Sequence, residues 1–411
     1  MKVSILTLGC RVNQSESAVI EGTLRKNGVS IVNLNEQPEY CIVNTCTVTA
    51  RSDYNSRQLI RRAAKAGAKV IVTGCYSQLR NDEARGLPGV WKVIDNRAKL
   101  DVIGELTYGK SSPSYDYYSR SRPYLKVQDG CNFRCSYCSV PLARGKSVSV
   151  PEETVIERAR IIESAGYPEV VLTGIHLGSY GHDLPGNVTL KKLLGRLLKD
   201  TSIRRIRLSS LEISEIDDEM IELLADVRIC RHLHLPLQSG SARVLQRMNR
   251  RYSLSTFSKT VERIAGEVDN IALGSDVIAG FPGETEEDFA DTLTFVRHLP
   301  FSYLHIFPFS ARPGTVAASM PDRPEARTVK KRIERLAEIN KSKRLEYMTR
   351  QLDKTLDIIA EDEDGEDCLG TSGNYLKIKA LRAAGQRGSL VFVRPVAIID
   401  GILEAVLMGI P

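Results

Sequence analysis

The chain has 411 residues, 42% hydrophobic and 26% charged, with a formal net charge of +7. Those proportions exclude a disordered or fibrous chain and suggest two or three domains, each able to bury a core. No run approaches the ~18 consecutive apolar residues of a membrane span, and the apolar stretch before Leu8-Gly9-Cys10 is too short for a signal peptide, so a cytoplasmic protein without membrane partners is expected.

Residues 1–110 alternate short β-branched runs with amphipathic stretches. VSILTLG (3–9), YCIVNTC (40–46), KVIVTGC (69–75) and VWKVID (90–95) read as strands, with helices over 14–28 and around YNSRQLIRRAAKAG. Such alternation implies an open parallel sheet. Cys10, Cys46 and Cys75 each follow one of these strands, separated by 36 and 29 residues. Ligands bind outside the carboxyl ends of parallel strands, so the three would meet at one edge as a metal site. The alternative is three small buried hydrophobes. Cys41, Cys230 and Cys368 read as structural. Nine cysteines, an odd number, favour metal ligation over a disulfide framework.

Residues 111–123, rich in Ser, Tyr and Pro, read as a linker. Six strands then follow over residues 124–322: YLKVQ (124–128), EVVLTG (169–174), RIRLSS (205–210), HLHLPLQ (232–238), IALGSDVIAG (271–280) and YLHIFPFS (303–310). With helices between them they predict an incomplete (β/α)6 barrel, two units short of closure and open at the side. Its first helix is expected to start at a capping box, Ser149 with Glu152, and to end at Gly166. Gly280 and Gly283 predict a tight turn into a helix beginning near Glu284. His232 and His234 fall on one face of their strand and read as barrel lining. Residues 323–350 form a basic helical connection. Residues 351–411 read as a small β-barrel of four strands, with EDEDGED (361–367) as a solvated loop facing away from RNA.

Cys131, Cys135 and Cys138 lie in the loop after the first barrel strand, at the mouth where active sites are built. Tetrahedral zinc and cubane iron–sulfur sites take four ligands, and no second cysteine pair lies nearby. Three thiolates can hold a 4Fe–4S cube and leave one iron open for substrate.

Cys-x3-Cys-x2-Cys with Tyr137 before the third cysteine resembles the radical S-adenosylmethionine enzymes. There the cofactor's amino and carboxylate groups chelate the open iron and an electron from the cluster yields a 5′-deoxyadenosyl radical. TLGCRVNQSES, VNTCTVT and VTGCYSQ resemble the amino-terminal domain of the methylthiotransferases, and LTGIHLGSYG, SDVIAGFPGETEEDF and FPFSARPGT resemble their barrel. The last domain resembles their TRAM domain, an RNA-binding appendix separable from the cluster chemistry. TLGC-R-VN is most similar to the branch acting on N(6)-threonylcarbamoyladenosine at tRNA position 37.

The resemblance implies two 4Fe–4S clusters, one on Cys131, Cys135 and Cys138, the other on Cys10, Cys46 and Cys75. It implies S-adenosyl-L-methionine contacts at Tyr137, Thr173, Gly174, Ser210, Glu212, Gln238 and Asp276. It implies a tRNA anticodon stem-loop as substrate, addition of a methylthio group at carbon 2 of the adenine, and an electron donor and sulfur source that the sequence does not identify. A threonylcarbamoyl group carries a carboxylate, and Arg312 or Arg144 is expected to receive it. Relatives usually carry Arg-Ser-Arg after an ARG like that at 143–145, where this chain has Val148-Ser149-Val150, so Lys146 or Arg144 would substitute. Open alternatives are an isopentenyladenosine tRNA, a ribosomal protein as substrate, and a non-catalytic metal-containing RNA-binding protein.

Overall fold

The computed structural model describes residues 1–107, 114–115, 120–383 and 386–409, so most of the expected linker lies outside the described residues. Strand β1 (Lys2–Thr7) runs into α1 (Arg11–Lys26), then β2 (Ser30–Ile31), β3 (Tyr40–Thr45), α2 (Ala50–Lys65), β4 (Lys69–Gly74), α3 (Cys75–Leu79), α4 (Asn81–Arg85), β5 (Val90–Val93) and α5 (Asp101–Thr107). The strands form one parallel sheet in the order β2-β1-β3-β4-β5. Alternate residues bury both faces: Val3, Ile42 and Ile71 pack with Ile20 and Leu24 of α1, while Val43, Val70 and Val72 pack with Ile60 and Ala63 of α2. Strand order reverses between β1 and β3. A crevice therefore opens at their carboxyl ends, where Cys10 and Cys46 stand.

The second unit comprises β6 (Tyr124–Lys126), β7 (Gln128–Asp129), α6 (Val140–Arg144), β8 (Val148–Ser149), α7 (Glu152–Ser164), β9 (Glu169–Thr173), α8 (Leu190–Asp200), β10 (Arg205–Leu208) and α9 (Asp218–Leu224). It continues through β11 (His232–His234), α10 (Ala242–Arg247), α11 (Leu254–Glu267), β12 (Ala272–Ala279), α12 (Glu286–His298) and β13 (Tyr303–Pro308). The six expected strands all form. They group as two parallel sheets, β10-β9-β6 and β11-β12-β13. Cys230 N–H donating to Ile206 O at 2.9 Å and Leu211 N–H to His234 O at 3.0 Å join the two into one arc. Among the described residues no ladder connects β6 to β13, so the side is open.

Two local expectations change. Helix α7 starts behind Pro151, and no capping box forms. Ser149 is instead paired in β8, where its hydroxyl donates to Asp183 Oδ1 at 2.6 Å, a tertiary partner that outbids the local cap. Helix α12 begins at Glu286, capped by Thr285, while Glu284 accepts the Gly280 N–H at 2.7 Å and pairs with Arg332.

Helix α13 (Ala326–Thr349) runs along β13, and Asn340 Oδ1 accepts the Leu304 N–H at 2.7 Å, covering an otherwise bare edge. The last unit is a closed barrel, β14-β15-β16-β18-β17, of β14 (Leu356–Asp364), β15 (Asp367–Ser372), β16 (Lys377–Leu381), β17 (Leu390–Ile399) and β18 (Ile402–Gly409). It has five strands where the sequence suggested four. The acidic stretch is a hairpin turning at Gly365 within β14 and β15, and Glu361 faces the protein, pairing with Arg122 at 2.5 Å.

This barrel is docked, not appended. Arg205 and Arg207 both pair with buried Glu169, at 2.6 and 2.8 Å, and also reach across to the last domain. Arg207 donates to Ser372 O at 2.8 Å and Gly373 O at 3.1 Å, and Arg205 pairs with Asp357 at 3.3 Å. Tyr375 enters the barrel lumen, its ring stacked 4.2 Å from that of His232. A chain ending at Arg350 strips these acceptors, so calorimetry should show its barrel unfolding more than about 5 °C lower; an unchanged transition contradicts the docking. Burial raises the Glu169 carboxyl, but Arg205, Arg207 and Arg122 pull it down to about 2 from 4.5. Because the folded value is the lower, its stabilisation is complete above about pH 4.5 and should fade as pH falls towards 2. Replacing Glu169 by Gln should remove that part of the acid transition.

Candidate active site between the first sheet and the barrel

The amino-terminal cysteines come from three adjacent strands and converge. Gly9, at φ +100°, precedes Cys10 in a position where a Cβ would lie 2.9 Å from both Cβ and Sγ of Cys46. Gly74, at φ +102°, precedes Cys75 where a Cβ would meet Thr45 O at 2.4 Å. Only glycine permits either approach. Asn13 ties the edge together, its amide donating to Leu8 O at 2.8 Å and Thr45 O at 2.9 Å. Burial pushes the Cys46 and Cys75 thiols up, opposed at Cys75 by Arg144 and Lys99.

The barrel cysteines occupy a loop fastened at both ends. The Cys131 N–H donates to Gly145 O at 3.1 Å, and Ser136 N–H to Met248 O at 3.0 Å. Gln128, not singled out by the sequence, spans the loop's base. Its amide nitrogen donates to Gly130 O at 2.7 Å and Ser147 Oγ at 2.9 Å, while its oxygen accepts the His176 N–H at 2.8 Å. Gly174 is required because a Cβ there would crowd that oxygen at 2.9 Å; Thr173 beside it is buried at the end of β9. His176 Nδ1 lies 3.7 Å from Cys131 Sγ and its ring pairs with Glu215. Arg250 reaches Cys135 Sγ at 3.6 Å and is paired with Glu212, so Glu212 acts through Arg250 on the cysteine loop. Burial pushes the Cys138 thiol up to about 12.

A cavity of about 270 Å³ lies between Cys138 of the barrel group and the loop that follows Cys46. Tyr137, Cys138, Gln238 and Asp276 line it from the barrel, Phe307 from the end of β13 and Phe309 just beyond it, and Val48 and Thr49 from the loop after Cys46. Gln238 adopts φ +69° and lies against Asp276, whose carbonyl accepts its N–H at 2.8 Å. The Asp276 carboxylate faces His234 Nε2 at 3.1 Å and His305 Nδ1 at 3.3 Å, and Ser210 Oγ meets His234 Nδ1 at 2.8 Å. Burial would raise the Asp276 carboxyl, but the two imidazoles hold it well below the usual range.

Neither expected substrate arginine is free. Arg312 is buried, pairing with Asp53 at 2.5 Å and donating to Thr47 Oγ1 at 2.8 Å, so it fixes the loop after Cys46 against the end of β13. Arg144 is buried between Glu16 at 3.2 Å and Asp129 at 2.7 Å. Lys126 pairs with the same two carboxylates, at 2.6 and 2.5 Å, and Lys99 with Glu16. Three cations thus face two carboxylates in a seam beside Cys75 and ahead of Cys131. Lys146 is exposed. Sequence reasoning missed this seam because its partners lie far apart in the chain.

The donor sets fit cubane clusters. A zinc ion with Zn–S bonds of about 2.3 Å needs sulfurs roughly 3.8 Å apart. Among the described residues only His234, Asp276 and His305 bring three ligand atoms within 4.8 Å; neither cysteine triad does. All nine cysteines are free, and Cys41, Cys230 and Cys368 are buried apart in hydrophobic surroundings or beside Arg207.

Residues 125–296 match the Radical SAM superfamily, and residues 2–94 match a family described as uncharacterized protein family UPF0004. A protein of Aquifex aeolicus, named threonylcarbamoyladenosine tRNA methylthiotransferase MtaB, is 38% identical, over 92% of this chain and 96% of its own. One of Bacillus subtilis with the same name is 36% identical, over 95% of this chain and 93% of its own. Among solved structures, the radical S-adenosylmethionine methyltransferase TsrM from Kitasatospora setae shares the fold, with a TM-score of 0.58, 16% identity and 77% of each chain covered. No helix among the described residues is long and apolar enough to cross a membrane.

The Arg312–Asp53 pair yields a test of how the loop after Cys46 is held against the barrel. Arg312→Ala strands a buried carboxylate and should cost about 3–5 kcal/mol. Adding Asp53→Ala should restore much of that loss in chemical denaturation of the cluster-free chain; additive losses would contradict the pairing.

Proposed function

The chain belongs to the radical S-adenosylmethionine methylthiotransferases, and from that premise we propose that it adds a methylthio group to carbon 2 of N(6)-threonylcarbamoyladenosine in tRNA. The observation that carries this is a cavity lined on one side by Cys138 of the barrel triad and on the other by Val48 and Thr49, which directly follow Cys46 of the amino-terminal triad. Cys131, Cys135 and Cys138 would hold one 4Fe–4S cluster and Cys10, Cys46 and Cys75 the other. With S-adenosylmethionine bound, these groups supply the hydrogen-abstracting radical and the methylated sulfur. An aromatic C–H bond is too strong for acid–base activation, which is why such chemistry is needed at carbon 2.

The chain's own residues then have distinct tasks. Tyr137, Gln238 and Asp276 line the cavity against which the cofactor would lie, with Ser210 ordering His234 and Glu212 ordering Arg250. Thr173 and Gly174, where β9 ends beside Gln128, would receive the cofactor's amino group. Val48, Phe307 and Phe309 give the cavity an apolar wall that excludes water from a radical intermediate. Exposed Arg327, Lys330, Lys331, Arg335 and Arg344 of α13 supply phosphate contacts for the anticodon stem-loop, and that binding weakens with salt.

Mass spectrometry of nucleosides tests the reading. Anaerobically reconstituted protein should convert threonylcarbamoyl-bearing anticodon stem-loops to the 2-methylthio product and leave isopentenyl-bearing ones largely untouched. Preference for the isopentenyl substrate, or product on neither, would overturn it.

A further inference from the structure

A threonylcarbamoyl substrate brings a carboxylate into a cavity walled by protein, and an unpaired carboxylate there is costly. Arg312 and Arg144 are already neutralised by Asp53, Glu16 and Asp129. A different cation must serve.

Arg11 is the first residue of α1, adjacent to Cys10, and is only partly buried. Its guanidinium donates to the Tyr375 hydroxyl at 3.1 Å, a neutral partner, and among the described residues it has no ion pair. Tyr375 holds it at the meeting point of all three units: the ring lies 4.2 Å from that of His232 and 5.7 Å from that of Tyr303. From Tyr303 a row of packed rings leads towards the catalytic cavity, His305 at 5.1 Å and His234 a further 5.2 Å on, and both imidazoles face Asp276 in its lining.

The charge around this point is of the right sign. Arg122, Arg205 and Arg207 all share Glu169, with Glu361 and Asp357 as further acids, and Glu361 is itself shared with Lys377. Arg11 adds a cation with no acid of its own. His232 registers the resulting field: burial first, then Arg207 and Arg11, hold its imidazole well below the usual value.

We propose that the Arg11 guanidinium, presented beside Cys10 and oriented by Tyr375, binds the carboxylate of the substrate's threonylcarbamoyl group and so sets which modified adenosine is accepted. The assignment rests on the function proposed above. It places the charge-reading group one residue from a cysteine of the amino-terminal triad, so that recognition of the side chain and presentation of the base to that triad are coupled. The planar fork suits a bidentate carboxylate, with the phenol hydroxyl as the partner exchanged on binding.

The test alters both sides of the contact. Stem-loops carrying the threonylcarbamoyl group as its free acid or as the corresponding carboxamide, identical in shape but neutral, are compared with wild-type, Arg11→Gln and Arg11→Lys enzymes. Iron content is measured on each. Wild type should favour the acid by at least about tenfold in kcat/KM, Arg11→Lys less, and Arg11→Gln by no more than about twofold. If wild type turns over acid and amide equally, or folded Arg11→Gln retains the wild-type ratio, the inference is overturned while the proposed activity stands. If wild type acts on neither, the proposed function falls and this inference with it. Should Arg11→Gln lose iron, Arg11→Lys decides: a ratio equal to wild type overturns the assignment, and a lowered ratio upholds it.

Discussion

The buried seam of Glu16, Lys99, Lys126, Asp129 and Arg144 is the constraint on which the site depends. Helix α1 contributes Glu16 five residues after Arg11, the end of the first sheet domain contributes Lys99, and the barrel contributes the rest. Burying Glu16, Lys99 and Arg144, with Lys126 and Asp129 half-buried beside them, is expensive, and the arrangement persists only because each carboxylate meets at least two cations. Despite burial, the attraction of Lys99, Arg144 and Lys126 keeps the Glu16 carboxyl well below its ordinary range. The seam carries one more cation than acid, and Arg144 turns that excess towards Cys75. That pull opposes the burial that pushes the Cys75 thiol up, while Arg312, paired with Asp53 and Thr47, fixes the loop after Cys46 against the end of β13. One set of ion pairs therefore does two things, joining the domains and setting positive charge beside Cys75.

A second set, around Glu169, closes the other end of the barrel. Six strands leave an arc with a polar lumen, and polar lumen groups need partners. Carbonyls of Ser372 and Gly373 and the ring of Tyr375 provide them for Arg207 and His232. The last domain is thus part of the barrel's interior as well as a candidate RNA-binding surface. Substrate entry is left to the open side and the upper mouth, where Val48 and Phe307 are exposed.

Much of this was legible in the sequence where the signal is local. Strands ending in cysteine and the three-cysteine loop follow from spacing, whereas the close approaches at Gly9 and Gly74 emerge only once the neighbouring strands are in place. The strand Asp367–Ser372 escaped notice because it is short, contains Gly370 and begins in an acidic run that reads as solvated loop. The capping box at Ser149 failed because Asp183, distant in sequence, competes for the same hydroxyl. The roles expected of Arg144 and Arg312 failed for a related reason. A guanidinium near a mouth looks available until the carboxylate that claims it, 128 or 259 residues away, is placed beside it. Arg11 was visible within the motif TLGCRVN, but its position in the lumen depends on a tyrosine 364 residues later.

The central claim is that two cluster-binding triads, carried by different domains, act on one cavity. Electron paramagnetic resonance of the reduced, fully reconstituted protein tests this most directly, using Cys75→Ala and Cys135→Ala variants as single-cluster references. Two paramagnets across one cavity interact, so the wild-type spectrum should be broadened and relax faster than the sum of the two variants. A wild-type spectrum equal to that sum would contradict the account.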